Sequence, residues 1–177
     1  QPDGAQGRLR AAGALPPGLR RRPRAVLKGA RRLPSTGGTY LLVMQARDGF
    51  AVEAGRLGER RLPRGWYCYV GSAFGPGGLA ARCGRHLRED KRLRWHIDYL
   101  RPHLRLAAIW YAEDPRRMEH EWARALDAWE PVSCAWPGFG ASDCRCVSHL
   151  WHSSRQPSRE GFRRQVGRDT PIETFEE

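Results

Sequence analysis

Between Trp66 and Ser72 the chain alternates two chemistries residue by residue. As a strand it carries Trp66, Cys68 and Val70 on one face and Tyr67, Tyr69 and Gly71 on the other. The strand runs into Gly75-Pro76-Gly77-Gly78, a turn signal, after which Leu79, Ala80, Cys83 and Leu87 recur at helical spacing to about Asp90. Stepping about 100° per residue places Arg82 and His86 on the shoulder of that apolar stripe, and Arg85 and Arg88 further out. Shoulder residues are neither core nor fully solvated. A strand, a tight turn and a helix so built aim tyrosines, an arginine and a histidine at one region, and the partner such a group suits is an anion.

The flanking elements read more simply. Thr39 to Ala46 is a β-type run, Arg47-Asp48-Gly49 is a turn signal, and Phe50 to Ala54 resumes a short alternation, which predicts an antiparallel pair. The Gly/Arg/Pro-rich stretch before Trp66 reads as a connection. Leu93 to Leu100 reads as a short helix stopped near Pro102, and Arg105 to Ala112 as a further strand. Asp114 and Pro115 then fit the cap and first position of a helix whose stripe is Met118, Trp122, Ala125, Leu126 and Trp129. Glu119 and Glu121 flank that stripe on opposite sides, so periodicity leaves open which one faces a cleft.

All seven Trp, five Tyr and five Cys fall within residues 36–152, a stretch long enough for a single core. The ends differ. Residues 1–35 hold nine Arg or Lys against Asp3 alone, with little apolar pattern, and are expected to form a disordered basic arm. Residues 153–177 balance five Arg against five acids and are likewise expected to be a disordered tail. The net charge of +12 argues against a basic partner, and the arm, with nine of the basic residues, would support loose, salt-sensitive attraction to nucleic acid or anionic lipid. No apolar run approaches the roughly 18 to 20 residues of a membrane span, which predicts a soluble, cytoplasmic protein with no membrane partner. Five cysteines without regular spacing argue against a secreted disulfide framework and for reduced thiols or a metal site.

Gly38-Thr39-Tyr40, Tyr69-Val70-Gly71, Arg82 and His86 four residues apart, and a later helix bearing Glu119 together resemble the GIY-YIG nuclease superfamily. The longer match through WHIDYL, PGFGASDCRC and SHL resembles its Uri-like branch of small domains, the domain of unknown function 123 type. The resemblance covers nearly all of residues 36–152. It implies an α+β fold, a small, mostly antiparallel sheet flanked by helices, and an endonuclease that hydrolyses phosphodiester bonds in DNA, in repair or mobility, with Mg²⁺ or Mn²⁺. DNA is favoured over RNA as the partner. Under that resemblance Glu119 would hold the metal, Arg82 would neutralise charge on the phosphoryl oxygens, Tyr40 or Tyr69 would orient or deprotonate water, and His86 would contact phosphate or relay a proton. The alternative is a nuclease-like domain that binds nucleic acid without cutting it.

Two further groups are less specific. Arg85, Arg88, Lys91, Arg92 and Arg94 could form a nucleic-acid track, yet Glu89 and Asp90 interrupt them, as on an ordinary solvated face. Cys144, Cys146 and His149 supply three metal-type donors in one loop, with Cys134, His152 or His96 as possible fourth ligands. The spacing is not a standard zinc spacing, and packing of the loop against the sheet is the favoured reading over zinc. Asp143 is an accessory carboxylate on the same loop.

Overall fold

The computed structural model describes residues 32–88, 90–167 and 169–176. Most of the expected basic arm therefore lies outside the described residues. The elements in chain order are β1 (Thr39–Ala46), β2 (Phe50–Glu53), β3 (Glu59–Leu62), β4 (Gly65–Ser72), α1 (Gly78–Leu87), α2 (His96–Leu100), β5 (Arg105–Ala112), α3 (Glu119–Asp127), β6 (Ser133–Cys134), β7 (Leu150–Ser153), α4 (Arg159–Val166) and β8 (Glu173–Glu176). Six strands form one sheet in the order β6-β7-β4-β1-β5-β8, and every neighbouring pair is antiparallel. The α+β class expected from the sequence is the class observed. No helix of the described residues is long and apolar enough to cross a membrane.

Strand alternation divides the core into two layers. Tyr40, Leu42, Met44, Tyr67, Tyr69 and Ile109 face Leu79 and Cys83 of α1, Ile97 and Leu100 of α2, and Phe139. On the other side Leu41, Val43, Cys68, Val70, Trp110 and Trp151 pack against Trp122 and Leu126 of α3 and Phe162 of α4. Burial on both faces explains why β1 is almost continuously apolar, and it stands at the sheet's centre between β4 and β5.

Three sequence expectations give way. The run Phe50 to Ala54 does not hairpin with β1; it pairs with β3, inside the stretch read as a connection, as a separate two-stranded ribbon. Both long edges of β1 are taken by longer partners, β4 and β5, which leaves β2 no place in the main sheet. The helix near residue 115 begins later, with Met118 at its N-cap position, because Asp114 pairs with the Arg116 side chain and backbone instead of opening a helix. Finally, the C-terminal residues expected to be disordered form α4 and β8. Ser158 caps α4 by accepting from the Gly161 amide at 3.0 Å, Phe162 is fully buried, and β8 hydrogen-bonds along β5. At the other end, the Pro34 and Thr36 carbonyls accept from the Ala80 and Leu79 amides, and Leu33 packs on the core, so the fold reaches back before residue 36.

Candidate active site and adjoining metal cluster

A cleft of about 600 Å³ opens where β1, β4, α1, the start of α3 and the 135–149 loop meet, and Tyr40, Tyr69, Arg82 and Glu119 all line it. Four of the five residues singled out as catalytic thus share one surface. The fifth, His86, lies directly beneath: its Nε2 is 2.8 Å from the Tyr40 hydroxyl, and it is only 1% exposed. It sits deeper than the helix shoulder assigned by periodicity.

The strand register explains the tyrosine's position. Tyr40 on β1 is paired with Gly71 on β4. A Cβ at Gly71 would stand 2.4 Å from the Tyr40 hydroxyl, so glycine there lets the ring lie across β4 towards α1. Burial pushes the Tyr40 hydroxyl well above its ordinary pKa, with Tyr69 adding to the effect and the Arg82 charge opposing it. Tyr69 is raised too, first by burial and then by Glu119. Burial, reinforced by the Lys91 charge, pulls His86 down to about 3. The pair is therefore a neutral phenol against a neutral imidazole at physiological pH.

Glu119, at the first turn of α3, faces this pair across the cleft. Its Oε2 accepts from Ser72 Oγ at 2.6 Å, and its Oε1 lies 3.2 Å from His149 Nδ1. Burial alone would raise the carboxyl, but the His149 and Ser72 contacts outweigh it and hold the pKa below the ordinary value. Glu119 is thus an ionised carboxylate at a cleft wall. Glu121, its competitor in the sequence, is exposed and does not line the cleft.

Three arginines reach the same cleft: Arg82 from α1, and Arg94 and Arg117 from the connections that precede α2 and α3. The Arg82 guanidinium lies 4.2 Å from the centroid of the Trp95 ring, and no salt bridge to it occurs among the described residues. A stacked, uncompensated guanidinium is a ready anion fork. Arg117 was missed in the sequence because EDPRRM reads as a helix start, where its direction is ambiguous.

The expected basic track divides. Arg85 pairs with Asp98, donates to the Arg92 carbonyl at 3.0 Å and stacks on Trp95 at 4.4 Å. Lys91 lies 2.9 Å from the other Asp98 oxygen, its side chain 6% exposed. Both cations are drawn inward because Asp98 is buried and, on the short helix α2, also accepts from the Arg94 and Trp95 amides. Arg88, Arg92 and Arg94 remain exposed.

Next to Glu119 stands a second group. His120, Cys144, Cys146 and His149 place one ligand-type atom each within 4.8 Å of one another. Cys144, Cys146 and His149 are the three donors noted in the sequence, and the fourth is none of those considered. Cys134 pairs in β6, His152 Nε2 is 3.0 Å from the Arg64 carbonyl, and His96 Nδ1 accepts from the Gly140 amide. His120 comes from α3, far away in the chain, and only the tertiary fold reveals it. Asp143 lines the cleft from the same loop.

No curated protein and no solved structure matches the chain. A family model, described as domain of unknown function DUF123, matches residues 39–169, which span β1 through α4 and every group described above, and the chain belongs to that family.

Proposed function

We propose that this protein is a metal-dependent endonuclease of the GIY-YIG type, hydrolysing phosphodiester bonds in DNA. The observation that carries the reading is the convergence of Tyr40, Tyr69, Arg82 and Glu119 on one cleft, with His86 bonded to Tyr40 from below. Those residues come from β1, β4, α1 and α3; the two tyrosines form the buried floor of the cleft, and packing alone gives no reason for a guanidinium and a carboxylate to meet over them.

Glu119 fits a hard divalent cation. It is an ionised carboxylate at the wall of a polar cleft that Asp143 also lines, and Mg²⁺ is commonly held by one or two carboxylates while waters and phosphate oxygens fill the rest of its shell. Bound there, Mg²⁺ or Mn²⁺ would supply Lewis-acid activation of water and phosphate. The chain's own residues do the remainder. Arg82, held on Trp95, meets the charge that builds on the phosphoryl oxygens. Tyr40, its hydroxyl 2.8 Å from His86 Nε2, orients the attacking water. Burial opposes both a phenolate and an imidazolium, so the pair stays neutral and the proton of the water leaves to solvent in the open cleft. Tyr69 flanks the same water from β4.

The test is cleavage of end-labelled single-stranded, duplex and branched DNA, with RNA in parallel, in Mg²⁺, Mn²⁺ and chelator. Metal-dependent nicking of at least one DNA substrate is expected. Binding without cleavage under every metal and substrate would replace this reading with that of a non-catalytic nucleic-acid-binding domain.

A further inference from the structure

We infer that His120, Cys144, Cys146 and His149 form a closed, four-coordinate zinc site that clamps the 135–149 loop onto α3. The inference does not depend on the nuclease reading, since none of the four is assigned a part in the chemistry.

Geometry comes first. Cys144 Sγ is 3.4 Å from His149 Nε2, and Cys146 Sγ is 3.3 Å from His120 Nδ1. Zinc–sulfur and zinc–nitrogen bonds of about 2.3 and 2.05 Å, arranged tetrahedrally, give sulfur–nitrogen edges of about 3.6 Å. The two observed edges are already close to that value. With all four atoms inside 4.8 Å, small side-chain rotations complete the tetrahedron. Two thiolates and two imidazoles suit zinc and are poor ligands for Mg²⁺.

The surroundings agree. His149 turns its second nitrogen, Nδ1, to Glu119 Oε1 at 3.2 Å. A carboxylate at that distance favours the proton on Nδ1 and the Nε2 lone pair towards the metal, the usual support of a zinc-bound histidine. Packing accounts for only part of the group. Cys146 touches the core layer under α3 and His149 is buried, but Cys144 and Cys146 are half-buried and His120 is exposed, unlike the core cysteines Cys68 and Cys83, which are at most 1% exposed. The loop between β6 and β7 is anchored at Trp136 and Phe139 in the core and at Ser148, which donates to the Trp136 carbonyl, whereas its tip, 142–147, is half-buried or exposed; the ion would clamp that tip, beside the Gly140, Ser142 and Asp143 that line the cleft. Four protein ligands leave no open position, so the zinc is structural and acts on the cleft by holding its wall and by orienting Glu119 through His149.

The experiment uses the full chain, purified reduced and reconstituted with zinc, then with Co²⁺. One tightly held zinc per chain is expected, and the Co²⁺ form is expected to show thiolate charge-transfer and tetrahedral ligand-field bands. Cys146→Ser and His120→Ala are expected to abolish those bands, while Cys134→Ser keeps them. His120 is exposed, so His120→Ala folds, and circular dichroism checks that it does. Glu119→Gln is expected to weaken zinc affinity about tenfold to a hundredfold, the usual cost of losing such an outer partner. Sub-stoichiometric zinc after reconstitution, an octahedral Co²⁺ spectrum, retention of the bands in folded His120→Ala, or a Cys144–Cys146 disulfide in the freshly purified protein would each overturn the site.

Discussion

His86 shows how one residue couples the fold to the chemistry. Its pKa is lowered from the ordinary 6.5 to about 3, so between those values the unfolded chain holds a proton that the folded chain rejects. Stability from this group is therefore intact above pH 6.5 and falls as pH drops towards 3, by up to about 1.4 kcal/mol per pH unit. Urea unfolding of wild type and His86→Gln at several pH values checks this, and the variant is expected to lose less stability on acidification. Arg82 makes the opposite kind of prediction. It touches Trp95 and solvent, so Arg82→Ala is expected to leave stability within about 0.5 kcal/mol while lowering cleavage by roughly two to three orders of magnitude. At this scale the sequence was informative where motif and periodicity agreed, as for Tyr69 and Arg82, whereas Tyr40 rested on the motif alone and periodicity left Glu119 and Glu121 equal. It was silent on depth, because a helical wheel gives His86 an angle and cannot say that a tyrosine from β1 and the indole of Trp95 close over it.

Among the elements, α4 and β8 carry the least obvious part of the fold. Phe162 stacks on Trp110 at 5.8 Å, meets Trp122 edge-on at 5.1 Å and approaches Trp129 at 6.1 Å. Phe162→Ala is therefore expected to destabilise the protein by about 3 to 5 kcal/mol, as large-to-small changes in an aromatic core do. Chemical unfolding followed by tryptophan fluorescence checks it, and a change under about 1 kcal/mol would mean that the tail is an accessory. The sequence could not announce this element. Its helix has one large apolar residue in eight, its charges balance, and its strand is an edge strand of four residues. What makes it ordered is a surface that exists only after β5 and α3 have packed. The β2–β3 ribbon was misread for a related reason: Gly49 signals a turn correctly, but turn chemistry does not say which strand wins the central edge. By contrast β4 and α1 were legible, since alternation, glycines and helical period all point the same way along one continuous stretch.

For the whole molecule, charge and chemistry separate. The cleft's cations, Arg82, Arg94 and Arg117, are few and local, whereas residues 1–31 carry most of the basic arm. Removing residues 1–31, and stopping short of Leu33 and Pro34, is expected to weaken DNA affinity and flatten its dependence on salt while maximal cleavage rate changes little. Filter binding across a salt series checks the first expectation and saturating turnover the second. The most direct test of the account is single-turnover cleavage of DNA by wild type and Glu119→Gln at saturating protein, with affinity measured on the same substrate and zinc content matched between the two. The account predicts Mg²⁺-dependent cleavage by wild type and a loss of roughly two to three orders of magnitude in the variant, with DNA affinity within a few fold. Equal rates in the two proteins, or an equal loss of binding and rate, would contradict it.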